Sequence, residues 1–115
     1  VVCRRQRQMC IRDSPWGAPD DINTFMAMVN NVPSNWVHSA FSIGKNQMPF
    51  VAAAVLSGGN VRVGLEDNLW LERGRLAGNA ELVEKASGII SAMGVEIMTP
   101  EEVRAELKLV KRDPL

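Results

Sequence analysis

The sequence predicts an α/β fold in which helices cover a sheet of parallel strands. Strand-like runs at 36–43 and 61–66 flank an apolar helical segment at 47–57, which gives a strand–helix–strand unit. A crossover of this kind is right-handed and leaves its two strands parallel. We therefore expect the two strands to pair, with the helix covering one face of the sheet.

The helices of the first half are marked by their caps and their apolar spacing. Residues 19–21 (Pro-Asp-Asp) supply an N-cap, and apolar side chains follow at helical spacing: Ile22, Phe25, Met26 and Val29. This helix is expected to end near Asn31, before Pro33. The second helix has Pro49 in its first turn, where proline is tolerated, and its centre is apolar on every side. Such a helix packs closely on a sheet.

The second half of the chain is predicted to be a loop followed by two helices. The loop spans 68–78, and Asn79 then caps a helix that Gly94 ends. The expected apolar side of this helix consists of Leu82, Val83, Ala86, Ile89, Ile90 and Met93. A short extended link at 95–98 leads to Thr99-Pro100-Glu101-Glu102, a capping box with proline at the first helical position.

Charge and hydropathy argue against two classes of partner. The chain has 115 residues and a formal net charge of zero, but residues 1–14 carry four arginines and one aspartate, a net charge of +3. The rest carries nine basic and twelve acidic side chains, so its net charge is −3. A mildly acidic body is not typical of nucleic-acid binding, and no apolar run is long enough for a membrane helix. We expect no nucleic acid and no membrane among the partners.

The first fourteen residues, VVCRRQRQMCIRDS, differ from the rest of the chain. They show no helical or strand periodicity and are too polar for the apolar region of a signal peptide. A basic nucleic-acid arm is one interpretation; half a metal site at Cys3 and Cys10 is another, but no second Cys/His pair completes four ligands. We interpret 1–14 as a disordered leader foreign to the fold, and 15–115 as the folded part. Without 1–14 the chain has no cysteine, which removes any disulfide framework and says nothing against the cytoplasmic location that we expect.

The segment 61–68 is the strongest indication of chemistry. Side chains on a strand alternate between its two faces. One predicted face is apolar and consists of Val61, Val63 and Leu65. The opposite face carries a guanidinium, a glycine and a carboxylate, from Arg62, Gly64 and Glu66. Asp67 follows directly. In parallel α/β folds, ligands bind at the carboxyl ends of the strands. The alternative is that Arg62 and Glu66 form a structural ion pair inside the protein.

The same segment carries a resemblance to a known family. The run 61–71 (VRVGLEDNLWL), with Arg73-Gly74 and 79–83 after it, resembles the C-terminal part of the β-keto acid cleavage enzymes. The founding member of that family is the 3-keto-5-aminohexanoate cleavage enzyme of lysine fermentation. Further matching positions are Trp36, 42–49 (SIGKNQMP), Gly58-Gly59 and 99–102.

The resemblance extends from about Pro15 to Leu109, and it implies a fold. The family folds as a TIM (β/α)₈ barrel, and such a barrel typically needs about 250 residues. The resemblance therefore implies that 15–115 is the C-terminal quarter to third of a barrel.

The resemblance also implies roles for three residues at the end of the second strand. Glu66 matches the glutamate that binds the family's divalent metal, normally zinc, and a catalytic zinc takes three protein ligands and keeps one position open. The family's other two ligands are histidines on an earlier strand, whereas this chain has only His38, which we interpret as structural or barrel-lining. Asp67 matches the general base, and Arg62 matches the arginine that keeps this carboxylate ionised and oriented. The alternative role of Asp67 is to cap the turn that follows.

The loop after the first strand is a second candidate site. Gly44 and Lys45 precede a helix, and barrel loops of this kind often bind phosphate. Coenzyme A, which the resemblance implies as the acyl acceptor, carries phosphates that such a loop is suited to hold. The P-loop pattern is absent, and a surface turn with a solvated lysine is the alternative. For Trp70 and Arg73 the sequence leaves open a cover over the barrel mouth or a subunit contact.

The function that the resemblance implies is zinc-dependent cleavage of a β-keto acid with acetyl-CoA, which gives acetoacetate and a new acyl-CoA. We expect this activity of a full-length, homo-oligomeric enzyme, and we expect the 115-residue chain alone to be inactive. Two alternatives remain. One is a metal-free barrel fragment that binds a phosphorylated small molecule, and the other is a small non-enzymatic interaction module.

Overall fold

A computed structural model of the chain describes residues 19–110, so the segment 1–14 lies outside the described residues. The described part contains four α-helices, one 3₁₀ turn and four short strands. In chain order they are α1 (Ile22–Asn30), β1 (Ser39–Ala40), the 3₁₀ turn (Gly44–Asn46), α2 (Gln47–Leu56), β2 (Asn60–Val61), β3 (Trp70–Glu72), β4 (Arg75–Leu76), α3 (Asn79–Ala92) and α4 (Pro100–Glu106).

The strands β1 and β2 pair in parallel, as the strand–helix–strand pattern predicts. Ser39 lies opposite Asn60, and Ala40 lies opposite Val61. The pairing continues one residue further, because the backbone N–H of Arg62 donates to the carbonyl of Ala40 over 3.3 Å. The expected parallel arrangement with α2 as the crossover is confirmed.

Both strands are shorter than predicted, and they do not close into a barrel within residues 19–110. The sequence predicts strands over 36–43 and 61–66, whereas the ladder covers two residues on each side. In the described part, β1 and β2 pair only with each other, and a two-stranded sheet has little to hold its ends in the ladder. The apolar runs on either side therefore continue as extended chain or turn.

The helix α2 lies at the centre of the packing, which explains its apolar residues on every side. One side of it meets α1 and β1 in a buried cluster of Phe25, Ala40, Phe50 and Ala54. The rings of Phe25 and Phe50 meet edge to face, with their centroids 5.5 Å apart. Another side of α2 packs on α3 in a second buried cluster, formed by Val51, Ala86 and Ile90. Because α2 is packed on two sides, it holds both strand ends against the rest of the chain.

Local capping sets the starts of α1 and α4. At α1, Asp21 accepts hydrogen bonds from the backbone N–H of Thr24 at 2.9 Å and from its hydroxyl at 2.7 Å, and the backbone bond is the main reason that the pKa of Asp21 is lowered. At α4, Thr99 and Glu102 form the expected capping box, and the backbone N–H of Thr99 likewise lowers the pKa of the Glu102 carboxyl. Both caps agree with the sequence analysis.

The prediction of a loop over 68–78 is wrong for residues 70–76. The chain forms an antiparallel hairpin there, with Trp70 opposite Leu76 and Glu72 opposite Arg75. Gly74 makes the turn between them at a positive φ of 84°, where a side chain would strain the backbone. The hairpin gave no alternating signal because Trp70, Glu72 and both residues of β4 are exposed, so there is no apolar face to recognise.

The helix α3 follows the prediction, with two differences. Its N-cap is Gly78 rather than Asn79, and the backbone N–H of Gly78 donates to the carboxylate of Glu81 over 2.8 Å. Val83 was expected on the apolar side, but it is 52% exposed. Gly94 ends the helix at a positive φ of 75°, as expected. None of the helices described between residues 19 and 110 has the length and apolar character that crossing a bilayer requires.

Candidate functional site

The two adjacent carboxylates, Glu66 and Asp67, lie on a tight turn just beyond β2. The backbone N–H groups of Asp67 and Asn68 both donate to the carbonyl of Gly64, each over 3.2 Å. The strand alternation that was expected to reach Glu66 is therefore wrong beyond Val63, because the chain turns at Gly64. We call residues 64–67 the carboxylate turn. Its position after a parallel strand is the one that the sequence predicts.

Arg62 lies between the two carboxylates. Its Nη2 donates to Oε2 of Glu66 over 2.6 Å, and the same nitrogen lies 3.2 Å from Oδ2 of Asp67. The guanidinium carbon stands 4.6 Å from the ring centroid of the buried Phe41, a cation–π distance. The ring below and the carboxylates around it fix one orientation of the guanidinium.

The two carboxylates have different surroundings. The side chain of Asp67 is 4% exposed, and that of Glu66 is 80% exposed. A buried carboxylate needs a fixed positive partner, and Arg62 supplies it to Asp67. Glu66, in contrast, reaches into solvent with its Oε2 bonded to Arg62, and its Oε1 makes no hydrogen bond or ion pair within the described residues. Asp67 is thus held in place, while Glu66 is accessible to a ligand.

Two amide side chains hold the carboxylate turn from below. The Nε2 of Gln47, at the start of α2, donates to the carbonyl of Gly64 over 3.0 Å, and Gln47 is almost fully buried. The Oδ1 of Asn79, at the start of α3, accepts from the backbone N–H of Leu65 over 2.9 Å. Both covering helices therefore take part in fixing the turn. The sequence analysis missed Gln47, although a glutamine at the start of an apolar helix is a usable signal, and it assigned Asn79 to a cap.

The second candidate loop touches the carboxylate turn directly. Gly44 has a positive φ of 66°, and its backbone N–H donates to the carbonyl of Asp67 over 2.6 Å. Lys45 is exposed beside it. The two sites that the sequence analysis treated separately are therefore neighbours at one end of the sheet.

A third carboxylate, Asp20, braces the same loop, and the sequence analysis considered it only as part of a helix cap. Its Oδ2 accepts from the hydroxyl of Ser42 over 3.0 Å and from the amide of Asn46 over 2.6 Å. Ser42 is buried, so this bond satisfies a hydroxyl that has no access to water. No spacing in the sequence relates Asp20 to residues more than twenty positions away.

His38 lies away from the carboxylate turn. It immediately precedes β1, so it stands at the opposite end of the parallel pair from the turn, which follows β2. Its Nε2 lies 3.1 Å from the hydroxyl of Ser57. A Cβ added at Gly59 would come within 2.4 Å of the same nitrogen, so the imidazole fills the space beside that glycine. The contacts of His38 with Ser57 and Gly59 agree with its interpretation as a structural residue.

The fit of zinc to these residues is partial. Among residues 19–110 no three His, Cys, Asp or Glu side chains come together as a metal site. Glu66 has an accessible carboxylate and an open oxygen, which suits one ligand position. A three-ligand zinc centre needs two further ligands from outside this part of the chain.

A groove lies next to the carboxylate turn. It has a volume of about 620 Å³ and runs between the 3₁₀ turn, the hairpin and α3; its lining includes Lys45, Met48, Asn68, Trp70, Arg73 and Lys85. Cavities of this size commonly hold small molecules or cofactors. The groove begins beside the carboxylates, since Asn68 follows Asp67 in the chain.

A parallel strand–helix–strand unit with carboxylates just beyond a strand end is the arrangement of an α/β enzyme. A model of the β-keto acid cleavage enzyme family matches residues 5–109. The chain belongs to the β-keto acid cleavage enzyme family.

Three curated relatives show how the chain compares within the family. The chain is 68% identical over 105 residues to a 3-dehydrocarnitine:acetyl-CoA trimethylamine transferase of Rhizobium meliloti (strain 1021), covering 91% of this chain and 35% of the relative. It is 39% identical over 85 residues to a 3-keto-5-aminohexanoate cleavage enzyme of Acetoanaerobium sticklandii, and this match covers 73% of this chain and 31% of the relative. It is 42% identical over 76 residues to a 3,5-dioxohexanoate:acetyl-CoA acetone transferase of Paraburkholderia graminis, and this match covers 65% of this chain and 24% of the relative. The chain thus spans about a quarter to a third of these relatives.

Proposed function

We propose that the full-length protein is a (β/α)₈ barrel enzyme that cleaves a β-keto acid with acetyl-CoA. The main support for this proposal is the carboxylate turn. There the buried Asp67 and the solvent-exposed Glu66 both form ion pairs with Arg62. Family membership supplies the reaction class, because two relatives are named for transfers that use acetyl-CoA.

The proposed reaction exchanges one acyl group for another. Removal of a proton from C2 of the β-keto acid lets C2 form a bond to the carbonyl carbon of the acetyl group, and the coenzyme A thiolate leaves. The thiolate then attacks C3, the bond between C2 and C3 breaks, and the proton returns to C2. The remaining acyl group takes the place of the acetyl group on the thiol. The products are acetoacetate and a new acyl-CoA, so one thioester replaces another and no oxidant or reductant is consumed.

In this proposal Asp67 is the general base. A base needs a fixed position and a free lone pair that reaches the substrate proton. The hydrogen bond from Gly44 to its backbone carbonyl and the ion pair with Arg62 supply the fixed position. Arg62 is the positioning residue, since the guanidinium favours the ionised carboxylate that a base requires.

We propose zinc as the cofactor, with Glu66 as one of its ligands. The exposed carboxylate and its open Oε1 support this role, and the other ligands come from outside the described residues. When bound, zinc supplies a Lewis acid that polarises the carbonyl group of the substrate.

We propose 3-dehydrocarnitine as the β-keto acid. The support is the 68% identity to the relative named for that substrate, against 39% and 42% for relatives named for other keto acids. We also propose that the full-length enzyme is a homo-oligomer.

The test is acetoacetate formation by the purified full-length enzyme, with acetyl-CoA and each of the three keto acids named in the relatives. We expect kcat/KM for 3-dehydrocarnitine to exceed that for 3-keto-5-aminohexanoate and 3,5-dioxohexanoate by at least about tenfold. A preference for either other acid would overturn the substrate, and no acetoacetate from any of them would overturn the reaction.

A further inference from the structure

We propose that the groove beside the carboxylate turn binds the phosphorylated nucleotide end of acetyl-CoA. This inference rests on the proposed function, since that function requires acetyl-CoA as co-substrate. It assigns roles to Trp70 and Arg73, and it extends the phosphate site suggested for Gly44 and Lys45 across the groove to the hairpin.

The lining of the groove includes apolar side chains that suit a purine base. These are Met48, Trp70 and Leu71, and Trp70 is 50% exposed. An indole that is open to solvent on one side offers a flat apolar surface, and stacking of a base on an aromatic ring is a common way to bind nucleotides. Among residues 19–110, Trp70 is the one aromatic side chain in the lining of this groove.

The lining of the groove also includes positive charge that is unpaired within residues 19–110. Neither Lys45 nor Arg73 makes an ion pair or hydrogen bond within residues 19–110, although both line the groove. The ammonium group of Lys85 donates a hydrogen bond to the carbonyl of Leu71 over 2.6 Å, so Lys85 already binds the hairpin. The one acid of the lining, Glu72, lies 3.6 Å from Arg75 and is partly neutralised by it. The groove therefore favours an anion, and coenzyme A carries three phosphate groups at its nucleotide end.

The position of the groove fits a ligand with a long arm. Its lining includes Asn68, which follows Asp67 in the chain, and Lys45, which follows the residue bonded to the Asp67 carbonyl. The proposed catalytic carboxylates therefore adjoin the part of the groove at Lys45 and Asn68. A nucleotide bound at the hairpin, at Trp70 and Arg73, leaves that part of the groove between itself and Asp67. The flexible pantetheine arm of coenzyme A spans such a gap and delivers its thioester at the far end.

The test compares two thioesters in the full-length enzyme, acetyl-CoA and acetyl-pantetheine, which lacks the nucleotide. The measured quantity is the ratio of kcat/KM for acetyl-CoA to that for acetyl-pantetheine. We expect Lys45→Ala and Arg73→Ala each to lower this ratio about tenfold, the loss expected for one charge-assisted contact. The matched controls Lys108→Ala and Arg104→Ala, at cations outside the groove, should leave the ratio unchanged.

A second measurement does not depend on turnover. We expect adenosine 3′,5′-bisphosphate to bind the wild-type enzyme in calorimetry, and we expect Arg73→Ala to weaken this binding about tenfold. If the bisphosphate binds as expected while no thioester is turned over, the proposed reaction fails and the groove assignment stands.

Three results would overturn the groove assignment. The first is an equal loss with both thioesters, which would make these cations merely structural. The second is an unchanged kcat/KM with each thioester in both variants, which would leave these cations without a role in binding. The third is a change of oligomeric state in size-exclusion chromatography caused by the same substitutions, which would make the groove a contact between copies of the chain.

Discussion

A single guanidinium organises the candidate active site. Arg62 meets Glu66 and Asp67 through the same nitrogen and rests on the ring of Phe41. Because Asp67 is buried and Glu66 is exposed, one cation serves two carboxylates in different dielectric surroundings. We infer that the two neighbours have separate tasks, with the exposed one binding metal and the buried one moving a proton.

The two carboxylates should respond differently when each is replaced by its amide. In the full-length enzyme, Glu66→Gln should weaken zinc binding and nearly abolish turnover, because the amide lacks the charge that offsets a divalent cation. Asp67→Asn should keep its zinc while kcat falls by about 10²–10⁴-fold, because an amide cannot accept the proton. Metal analysis of the purified variants, together with kcat, separates the two effects.

A matched control is Glu84→Gln, which removes an exposed carboxylate from α3 and should change neither zinc content nor kcat. Stoichiometric zinc that survives Glu66→Gln would show that Glu66 is not a ligand. Loss of zinc in Asp67→Asn would contradict the division of tasks.

At the scale of elements, the sheet is held at both ends by contacts from outside the strands. At the carboxyl end, Gln47 of α2 and Asn79 of α3 fix the backbone of the carboxylate turn. At the amino end, His38 fills the space beside Gly59 and bonds to Ser57. Two-residue strands are weak on their own, so these contacts carry much of the order around the site.

Gly59→Ala should therefore destabilise the amino end of the sheet. The added Cβ would lie 2.4 Å from Nε2 of His38, so the imidazole must move and give up its contact with Ser57. We expect a loss of about 1–3 kcal/mol in the free energy of unfolding, measured by denaturant titration of the full-length enzyme.

The matched control for this substitution is Gly88→Ala, within α3, where an added Cβ meets nothing within 4 Å. Alanine is the better helix former, so this variant should gain about 0.5–1 kcal/mol. If Gly59→Ala were as stable as the wild type, the packing of His38 beside Gly59 would make no contribution to the free energy of unfolding.

The sequence predicted the elements that have a strong local signal. The N-cap at Asp21 and the capping box at Thr99 fixed two helix starts, and the apolar residues around Pro49 fixed α2 as the crossover. The parallel pairing followed from the strand–helix–strand order. These features depend on neighbours in the chain, and neighbours are visible in a sequence.

The features that the sequence did not predict have two causes, which are contacts distant in sequence and the lack of a buried face. The turn at Gly64 and Leu65, which replaces the end of the predicted second strand, is fixed by hydrogen bonds with Gln47 and Asn79, from two different helices. The hairpin at Trp70 has no buried face, so alternation could not reveal it. The resemblance to a family assigned roles to Glu66 and Asp67, but it did not predict that one is exposed and the other buried.

At the scale of the whole molecule, the described part leaves many apolar side chains exposed. Leu56 is 81% exposed, Val37 63% and Ile22 55%, and Trp36 at the start of the first strand segment is 38% exposed. The chain also spans only 35% of its relative from Rhizobium meliloti. We infer that these side chains pack against other parts of a full-length barrel.

The proposed function requires the full-length enzyme to transfer the acetyl group of acetyl-CoA onto a two-carbon unit taken from a β-keto acid. The most direct test supplies acetyl-CoA labelled with ¹³C at the carbonyl carbon and follows the label by NMR. The bond formation proposed above predicts the label at C3 of acetoacetate and unlabelled acyl-CoA as the second product. Label in free acetate, or acetoacetate formed without label, would contradict the proposed function.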